Sequence, residues 1–151
     1  MRAGRMAIVS IARCETYESE LVRRALVETL EPLGGIGAFV QPGQRVMLKP
    51  NLLMPARPDR AITTHPAVIE AMVELVQEAG GAPFVIDSPG GPFHTGVVMR
   101  RLYRDTGLQA VSERTGVPLL YDAASVQVAT PDGVLMKRLD LLKVYQEADV
   151  I

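Results

Sequence analysis

The sequence predicts an α/β fold, with an open, mostly parallel sheet, flanking helices and a β-hairpin near the C-terminus. Two apolar runs, Val46–Leu48 and Phe84–Ile86, each lead into polar residues, and a helical apolar pattern lies between them. A strand that is apolar on both faces is typical of a parallel sheet, whose neighbouring strands need a crossover such as a helix. Further on, Pro131-Asp132-Gly133 separates two alternating segments, which is typical of a hairpin.

The strands are predicted from short apolar or alternating runs that turn residues delimit. Pro42-Gly43 is such a turn and precedes the second strand. The predicted strands, in chain order, are Met6–Ile11, Arg45–Lys49, Pro83–Asp87, Val117–Tyr121 and the hairpin strands Val126–Ala129 and Val134–Lys137. Their alternation with helices predicts a Rossmann-like three-layer arrangement with mostly right-handed crossovers.

The helices are predicted from apolar side chains at helical spacing and from the residues that begin and end them. In the second helix a threonine at 63–64 is expected to cap the N-terminus, Pro66 suits the first turn, and Gly80-Gly81 ends it. Its predicted buried stripe is Val68, Ile69, Met72, Val73 and Val76. The predicted helices are Glu18–Leu30, the one that begins near Thr63–Pro66, Val97–Arg104, Leu108–Arg114 and the short segment Leu141–Glu147.

The connection from Asn51 to Thr64 shows neither helical nor strand periodicity. It carries two arginines, Arg57 and Arg60, together with several prolines. Connections of this length inside a domain tend to be functional or mobile. We therefore predict that residues Arg57–Ala61 are mobile in the absence of a ligand and serve as a lid. Two interpretations of Arg57 and Arg60 stay open, closure over an anion and ordinary solvated loop arginines, of which the second is the commoner.

Composition limits the classes of function. The chain has 151 residues, enough for a single domain over residues 1–151 with a real core, and its net charge is −1. That balance argues against a nucleic-acid partner, which needs a basic excess. No stretch approaches the ~18 apolar residues of a membrane span, so no membrane partner is predicted. One cysteine, Cys14, excludes an internal disulfide or a cysteine-held cluster in this chain, and the expected compartment is the reducing cytoplasm.

Polar residues that leave consecutive parallel strands meet at one edge of the sheet, where such folds bind ligands. Lys49 suits a phosphate or carboxylate, and Asp87 suits a ribose hydroxyl, a metal ion or a proton transfer. Backbone N–H groups of the glycine-rich turn after Asp87 suit an anion. The predicted ligand-binding residues are Lys49, Asn51, His65, Asp87, Ser88, Gly90 and Gly91.

Each of these residues also has a structural interpretation. A lysine at a strand end can rest its stem on apolar surface, Asn51 suits a turn, and Asp87 can cap the turn that follows it. No phosphate-binding loop, dinucleotide fingerprint or nucleophile elbow is present. The sequence thus locates a site but leaves its chemistry open, with catalytic residues and the cofactor unknown.

Two alternatives remain open. In the first, Asp87 and His94, with His65, hold a divalent ion in a metal-dependent, non-redox enzyme domain, although their spacing is not diagnostic of a metal site. In the second, the chain is a binding or assembly module without catalysis, which dimerises through the hairpin at Gln127–Lys137.

The order of several short motifs resembles the N-terminal part of the domain of unknown function 362 family. The motifs are Val46–Leu52, Thr63–Pro66, Ala79–Ala82, Asp87–Gly90 and Ala148–Ile151. Members of that family are often joined to ferredoxin-like segments that bind four-iron clusters, and the activity of the family is not established. The resemblance implies a redox-linked, cytoplasmic context. Our first hypothesis combines it with the residues: the sheet edge binds a small anionic substrate or cofactor, and an iron–sulfur segment or redox partner supplies electrons.

The family usually continues beyond the position of Ile151 into a polar stretch that bears lysine and histidine, and any cluster cysteines lie further on. A four-iron cluster is therefore expected only in a longer parent protein. Asp149-Val150-Ile151 resembles the start of a strand. We accordingly expect the chain to be a fragment of a longer protein.

Overall fold

The computed structural model describes residues 7–88, 96–122 and 124–151. Their chain order alternates helices and strands, as the α/β prediction requires. The helices are α1 (Ser19–Leu30), α2 (Pro66–Glu78), α3 (Gly96–Asp105) and α4 (Leu108–Thr115), and the strands are β1 (Arg45–Leu48), β2 (Ala82–Val85), β3 (Ser125–Ala129) and β4 (Arg138–Leu142). Short 3₁₀ helices occupy Glu31–Leu33, Ile36–Ala38, Pro58–Arg60 and Lys143–Glu147.

The centre of the fold is a parallel strand–helix–strand unit. β1 and β2 pair in parallel, with Leu48 opposite Val85, and α2 makes the crossover between them. Single parallel bridges extend this pair on both sides, from Val46 to Val150 and from Val85 to Leu119. The α/β class, the parallel pairing and the strand-like contact of residues 149–151 are thereby confirmed.

The two faces of this sheet are covered differently. On one face, Val85 and the fully buried Val73 of α2 belong to a core that includes Met99, Leu102 and other residues of α3 and α4. On the other face, the apolar cluster of Met47, Phe84 and Ile86 packs against Leu142 and Val144. The second layer is therefore the foot of the β3–β4 hairpin and the 3₁₀ helix that follows it, which lies within the short helix predicted at Leu141–Glu147.

The predicted first strand is wrong in its described part. Residues 7–11 adopt no regular secondary structure, and the side chains of Ile8, Val9 and Ile11 are 69%, 80% and 88% exposed. A strand needs a partner for its backbone groups as well as an apolar pattern, and no described strand pairs with this segment. Likewise, the predicted strand Val117–Tyr121 is reduced to the single bridge at Leu119.

The second hairpin strand begins four residues later than predicted. Thr130 donates its backbone N–H to the carbonyl of Lys137 and its hydroxyl to the carbonyl of Met136. These bonds place residues 130–137 in the loop, so the predicted strand Val134–Lys137 is replaced by Arg138–Leu142. The antiparallel hairpin itself is confirmed.

Helix α2 begins as predicted at Pro66, but its cap is His65 rather than a threonine. Its buried residues extend beyond the predicted stripe, because α1 and α4 pack on it as well as the sheet. Val68 and Met72 are half-buried, while Ala67, Ile69, Ala71, Val73, Leu75 and Val76 are buried.

Candidate functional site

The site predicted from the strand ends lies where β1 and β2 finish side by side. The ladder extends one step past the strands, since Ile86 donates its N–H to the carbonyl of Leu48 at 3.3 Å. Lys49 follows Leu48 directly, and Asp87 follows Ile86 directly. The parallel register therefore brings together the two side chains that the sequence placed at this edge.

Lys49 and Asp87 form an ion pair, with 2.6 Å between Nζ and Oδ1. The Asp87 side chain is 6% exposed, whereas the Lys49 side chain is 43% exposed. Oδ1 is buried and its approach to Nζ lacks hydrogen-bond alignment. At this short separation the two opposite charges attract each other, and the exposure of the lysine to water moderates that attraction. A buried carboxylate thus holds a half-exposed ammonium group at the sheet edge.

The second carboxylate oxygen of Asp87 stabilises the fold. Oδ2 accepts the backbone N–H of Leu52 at 2.9 Å, and Leu52 is fully buried. Buried N–H groups need such partners because leaving one unpaired costs about 1–3 kcal/mol. Asp87 therefore ties the chain that leaves β1 to the end of β2, which is more than the turn cap considered from the sequence.

Asn51 closes the long connection between β1 and α2. Its backbone N–H donates to the hydroxyl of Thr64 at 2.9 Å, and the N–H of Thr64 donates back to the carbonyl of Asn51 at 3.0 Å. The side-chain amide donates to the carbonyl of Ile62 at 3.2 Å. The described contacts of Asn51 thus hold its own loop, and its ligand-binding role remains a prediction.

His65 caps helix α2. Its Nδ1 accepts the N–H of Ala67 at 3.2 Å, and its ring stacks on Tyr17 with 3.7 Å between centroids and 11° between planes. Partial burial lowers the pKa of the imidazole below its ordinary value of 6.5. These described contacts are with Tyr17 and Ala67 rather than with the ion pair.

A concavity of about 480 Å³ lies beside His65 and is also lined by Tyr17, Arg57 and Ala61. Arg57 is 2.8 Å from Asp59 in a largely exposed ion pair, and residues 58–60 form a 3₁₀ turn. The predicted lid therefore has local structure of its own. Whether it moves on ligand binding stays a prediction.

The remaining predicted residues are only partly covered. Ser88 is exposed next to Asp87. Gly90, Gly91 and the metal candidate His94 lie outside the described residues. Among the residues that are described, no group of three or more His, Cys, Asp or Glu side chains is gathered as a metal centre would require.

Tyr103 of α3 was missed by the sequence reasoning, although it is fully buried near this edge. Its hydroxyl donates to the carbonyl of Leu120 at 2.7 Å. Burial, and secondarily the neighbouring Tyr121 and Asp87, raise the pKa of this phenol. A tyrosine among apolar residues at helical spacing is typical of an ordinary core residue, so the pattern contained no signal for this contact.

The fold and the site together define an α/β domain built on one parallel strand–helix–strand unit, with an ion pair at the carboxyl ends of its strands. Within the described parts of the chain, every helix is too short or too polar to cross a bilayer.

The chain belongs to the family described as "Domain of unknown function (DUF362)", whose profile matches residues 46–151. This confirms the resemblance drawn from the motifs. The chain is also similar to the "Thylakoid-associated protein sll1697" of Synechocystis sp. (strain ATCC 27184 / PCC 6803 / Kazusa), with 40% identity over 143 residues. That alignment covers 95% of this chain and 42% of the relative, so the chain spans less than half of the relative's length. No solved structure matches the chain significantly.

Proposed function

We propose that this domain binds a small anionic ligand at the carboxyl edge of its sheet, with Lys49 as the main contact. The observation that carries the proposal is the asymmetry of the ion pair, in which Lys49 is 43% exposed and Asp87 is 6% exposed. An ammonium group has three N–H donors, and the contact with one carboxylate oxygen leaves donors free for a ligand. The buried aspartate fixes the position of the lysine.

The ion pair also limits the expected affinity. Because Asp87 compensates the charge of Lys49, a bound anion gains less from attraction than it would at an isolated lysine. Recognition then depends on hydrogen bonds from the ammonium and from neighbours such as the exposed hydroxyl of Ser88. We therefore expect a phosphate or carboxylate group to bind weakly alone and more tightly as part of a larger substrate or cofactor.

Inorganic phosphate is the probe for this site, and isothermal titration calorimetry or backbone amide chemical shifts report its binding. We expect Lys49→Gln to abolish binding and Lys143→Gln, a matched change at an exposed lysine of the 3₁₀ helix after the hairpin, to leave it unchanged. Since Lys49→Gln leaves a buried carboxylate without its partner, the double variant Lys49→Gln/Asp87→Asn supplies a form without that unpaired charge. Phosphate binding that survives in both Lys49 variants would refute the proposal.

The second part of the proposal, a redox role, rests on the iron–sulfur segments to which members of the family are often joined, and not on this site. We propose that an iron–sulfur segment or a redox partner supplies electrons to the bound ligand in a longer parent protein. Any such cluster lies outside this chain, which holds one cysteine. The visible spectrum and iron content of the parent protein, purified without oxygen, test this part separately. Stoichiometric iron with broad absorption near ~400 nm supports it, and a colourless, iron-free protein contradicts it.

The cytoplasm remains the proposed compartment. The printed name of the cyanobacterial relative associates that protein with thylakoids. The proposed compartment therefore includes the surface of a membrane that borders the cytoplasm. Fractionation of cells that express the natural protein, with and without a high-salt wash of the membranes, distinguishes a free protein from a peripherally attached one.

A further inference from the structure

The β3–β4 hairpin has an unpaired edge. Its two strands pair with each other, and within the described ranges neither pairs with a third strand. The backbone groups of a free edge can pair with another strand. The hairpin therefore offers a surface to which a partner strand can bind.

The hydrogen bonds at the two ends of the hairpin fix which backbone groups face outward. Thr130 donates to the carbonyl of Lys137 at 2.9 Å, and Lys143 donates to the carbonyl of Ala124 at 2.8 Å. In an antiparallel ladder, residues bonded to the neighbouring strand alternate with residues whose backbone groups point away from it. The odd-numbered residues of β4 therefore face β3. Arg138 and Asp140 direct their N–H and C=O groups to the free edge.

The charges on this edge are complementary to themselves. If two copies of β4 pair antiparallel about a two-fold axis at Leu139, Arg138 lies opposite the partner's Asp140, and the reverse holds by symmetry. An axis at Arg138 would oppose two arginines, and an axis at Asp140 would oppose two aspartates. Cross-strand pairs of opposite charge stabilise a sheet, and pairs of like charge destabilise it. The charges thus select one register.

The same register also covers apolar surface. The side chains of Val134 and Leu135 at the hairpin tip are each 93% exposed. With the axis at Leu139, antiparallel pairing directs this tip toward the foot of the partner's hairpin. Leu139 and Leu141 occupy the half-buried face of β4, so pairing also joins the apolar faces of the two hairpins.

We propose that the free edge of β4 is a dimerisation surface, and that a second copy of this chain binds there in the register that pairs Arg138 with the partner's Asp140. The product is a continuous four-stranded antiparallel sheet. This interface does not depend on the anion site at Lys49. It specifies strands and a register for the alternative in which the chain is an assembly module that dimerises through its hairpin. The contact is one short strand, so we expect a dimer that dissociates on dilution.

Sedimentation velocity of the 151-residue chain over a concentration series tests this proposal. We expect the 16.4 kDa monomer to be in equilibrium with a species of twice that mass. Asp140→Arg places arginine opposite Arg138 at both symmetric contacts and should raise the dimer dissociation constant at least ~10-fold. The exchanged variant Arg138→Asp/Asp140→Arg restores opposite charges in the same register and should recover most of the loss. Ser125→Arg, on the outer edge of β3, is the matched control and should leave dimerisation unchanged.

A chain that stays monomeric at every concentration would overturn the proposal, and so would a dimer that Asp140→Arg does not weaken. The recovery in the exchanged variant distinguishes paired charges from a general effect of substitution on the hairpin. A monomer that instead cosediments with anionic lipid vesicles through Val134 and Leu135 would assign the tip to a membrane surface and equally refute the dimer. High salt should weaken the wild-type dimer, because the paired charges are exposed.

Discussion

Replacing Asp87 with alanine removes two contacts at once, and their costs differ. The N–H of Leu52 loses its acceptor inside the core, and an unpaired buried donor costs about 1–3 kcal/mol. The ion pair with Lys49 contributes less, about 1 kcal/mol, because the lysine side is 43% exposed. We therefore expect Asp87→Ala to lower the free energy of unfolding by about 2–4 kcal/mol.

Urea denaturation followed by circular dichroism measures this loss. With a slope of about 2 kcal/mol per molar urea, the midpoint should fall by about 1–2 M. Asp87→Asn keeps an oxygen that can accept from Leu52 and removes only the charge, so about half to three quarters of the loss should return. Asp59→Ala breaks a largely exposed ion pair with Arg57 and serves as the control, with an expected change within ~0.5 kcal/mol. An alanine variant as stable as the wild type, or an asparagine variant as unstable as the alanine variant, would refute this account of Asp87.

Three further predictions concern other contacts. Tyr103→Phe leaves the carbonyl of Leu120 without its donor and should lower the unfolding free energy by about 1–2 kcal/mol in the same urea assay, and no change would contradict the importance of that bond. Burial lowers the pKa of His65, so the folded chain binds fewer protons than the unfolded chain and stability should decline as pH falls below about 6.5. The decline should be smaller in His65→Asn, and equal pH profiles of stability for the two proteins would disprove a contribution of His65. A Cβ at Gly81 would lie 2.7 Å from the side chain of one buried valine and 2.9 Å from that of another, so Gly81→Ala should lower the unfolding free energy by about 1–3 kcal/mol. Gly37 has open space around it, so Gly37→Ala should lower it much less, and equal urea midpoints for the two variants would contradict this difference in packing.

The strand–helix–strand unit was predictable because its signals are local and consistent. Val46–Leu48 and Phe84–Ile86 are apolar on both faces, and the helix between them begins at a proline and ends at a glycine pair. The same reasoning placed Lys49 and Asp87 at one edge, and the register fixed by the crossover brings them into contact. What the sequence could not reveal was the bond from Leu52 to Asp87, since a backbone donor carries no mark in the sequence.

The errors arise from contacts that a residue pattern does not show, some with partners distant in sequence and some with near neighbours. Residues 7–11 have a suitable apolar pattern but no described strand beside them. The second hairpin strand lies at 138–142 and not at the predicted 134–137, because bonds from Thr130 keep residues 130–137 in the loop. An alternation of apolar and polar residues carries no information on such bonds. The cap of α2 was wrong for a related reason. His65 supplies an acceptor nitrogen there, a role usually assigned to the preceding threonines.

The reciprocal bonds between Asn51 and Thr64 have a consequence for how this protein tolerates change. They fix the two ends of the long connection together, so the strand before it and the helix after it do not rely on the length of the segment between them. Residues 57–59 lie well inside that closed loop, away from the anchored Leu52. New sequence can therefore enter there at a modest entropic cost that grows only logarithmically with its length. A peptide tag or a reporter domain can be inserted here without separating β1 from α2. Because the insertion would disrupt the predicted lid, it suits experiments that do not measure ligand binding.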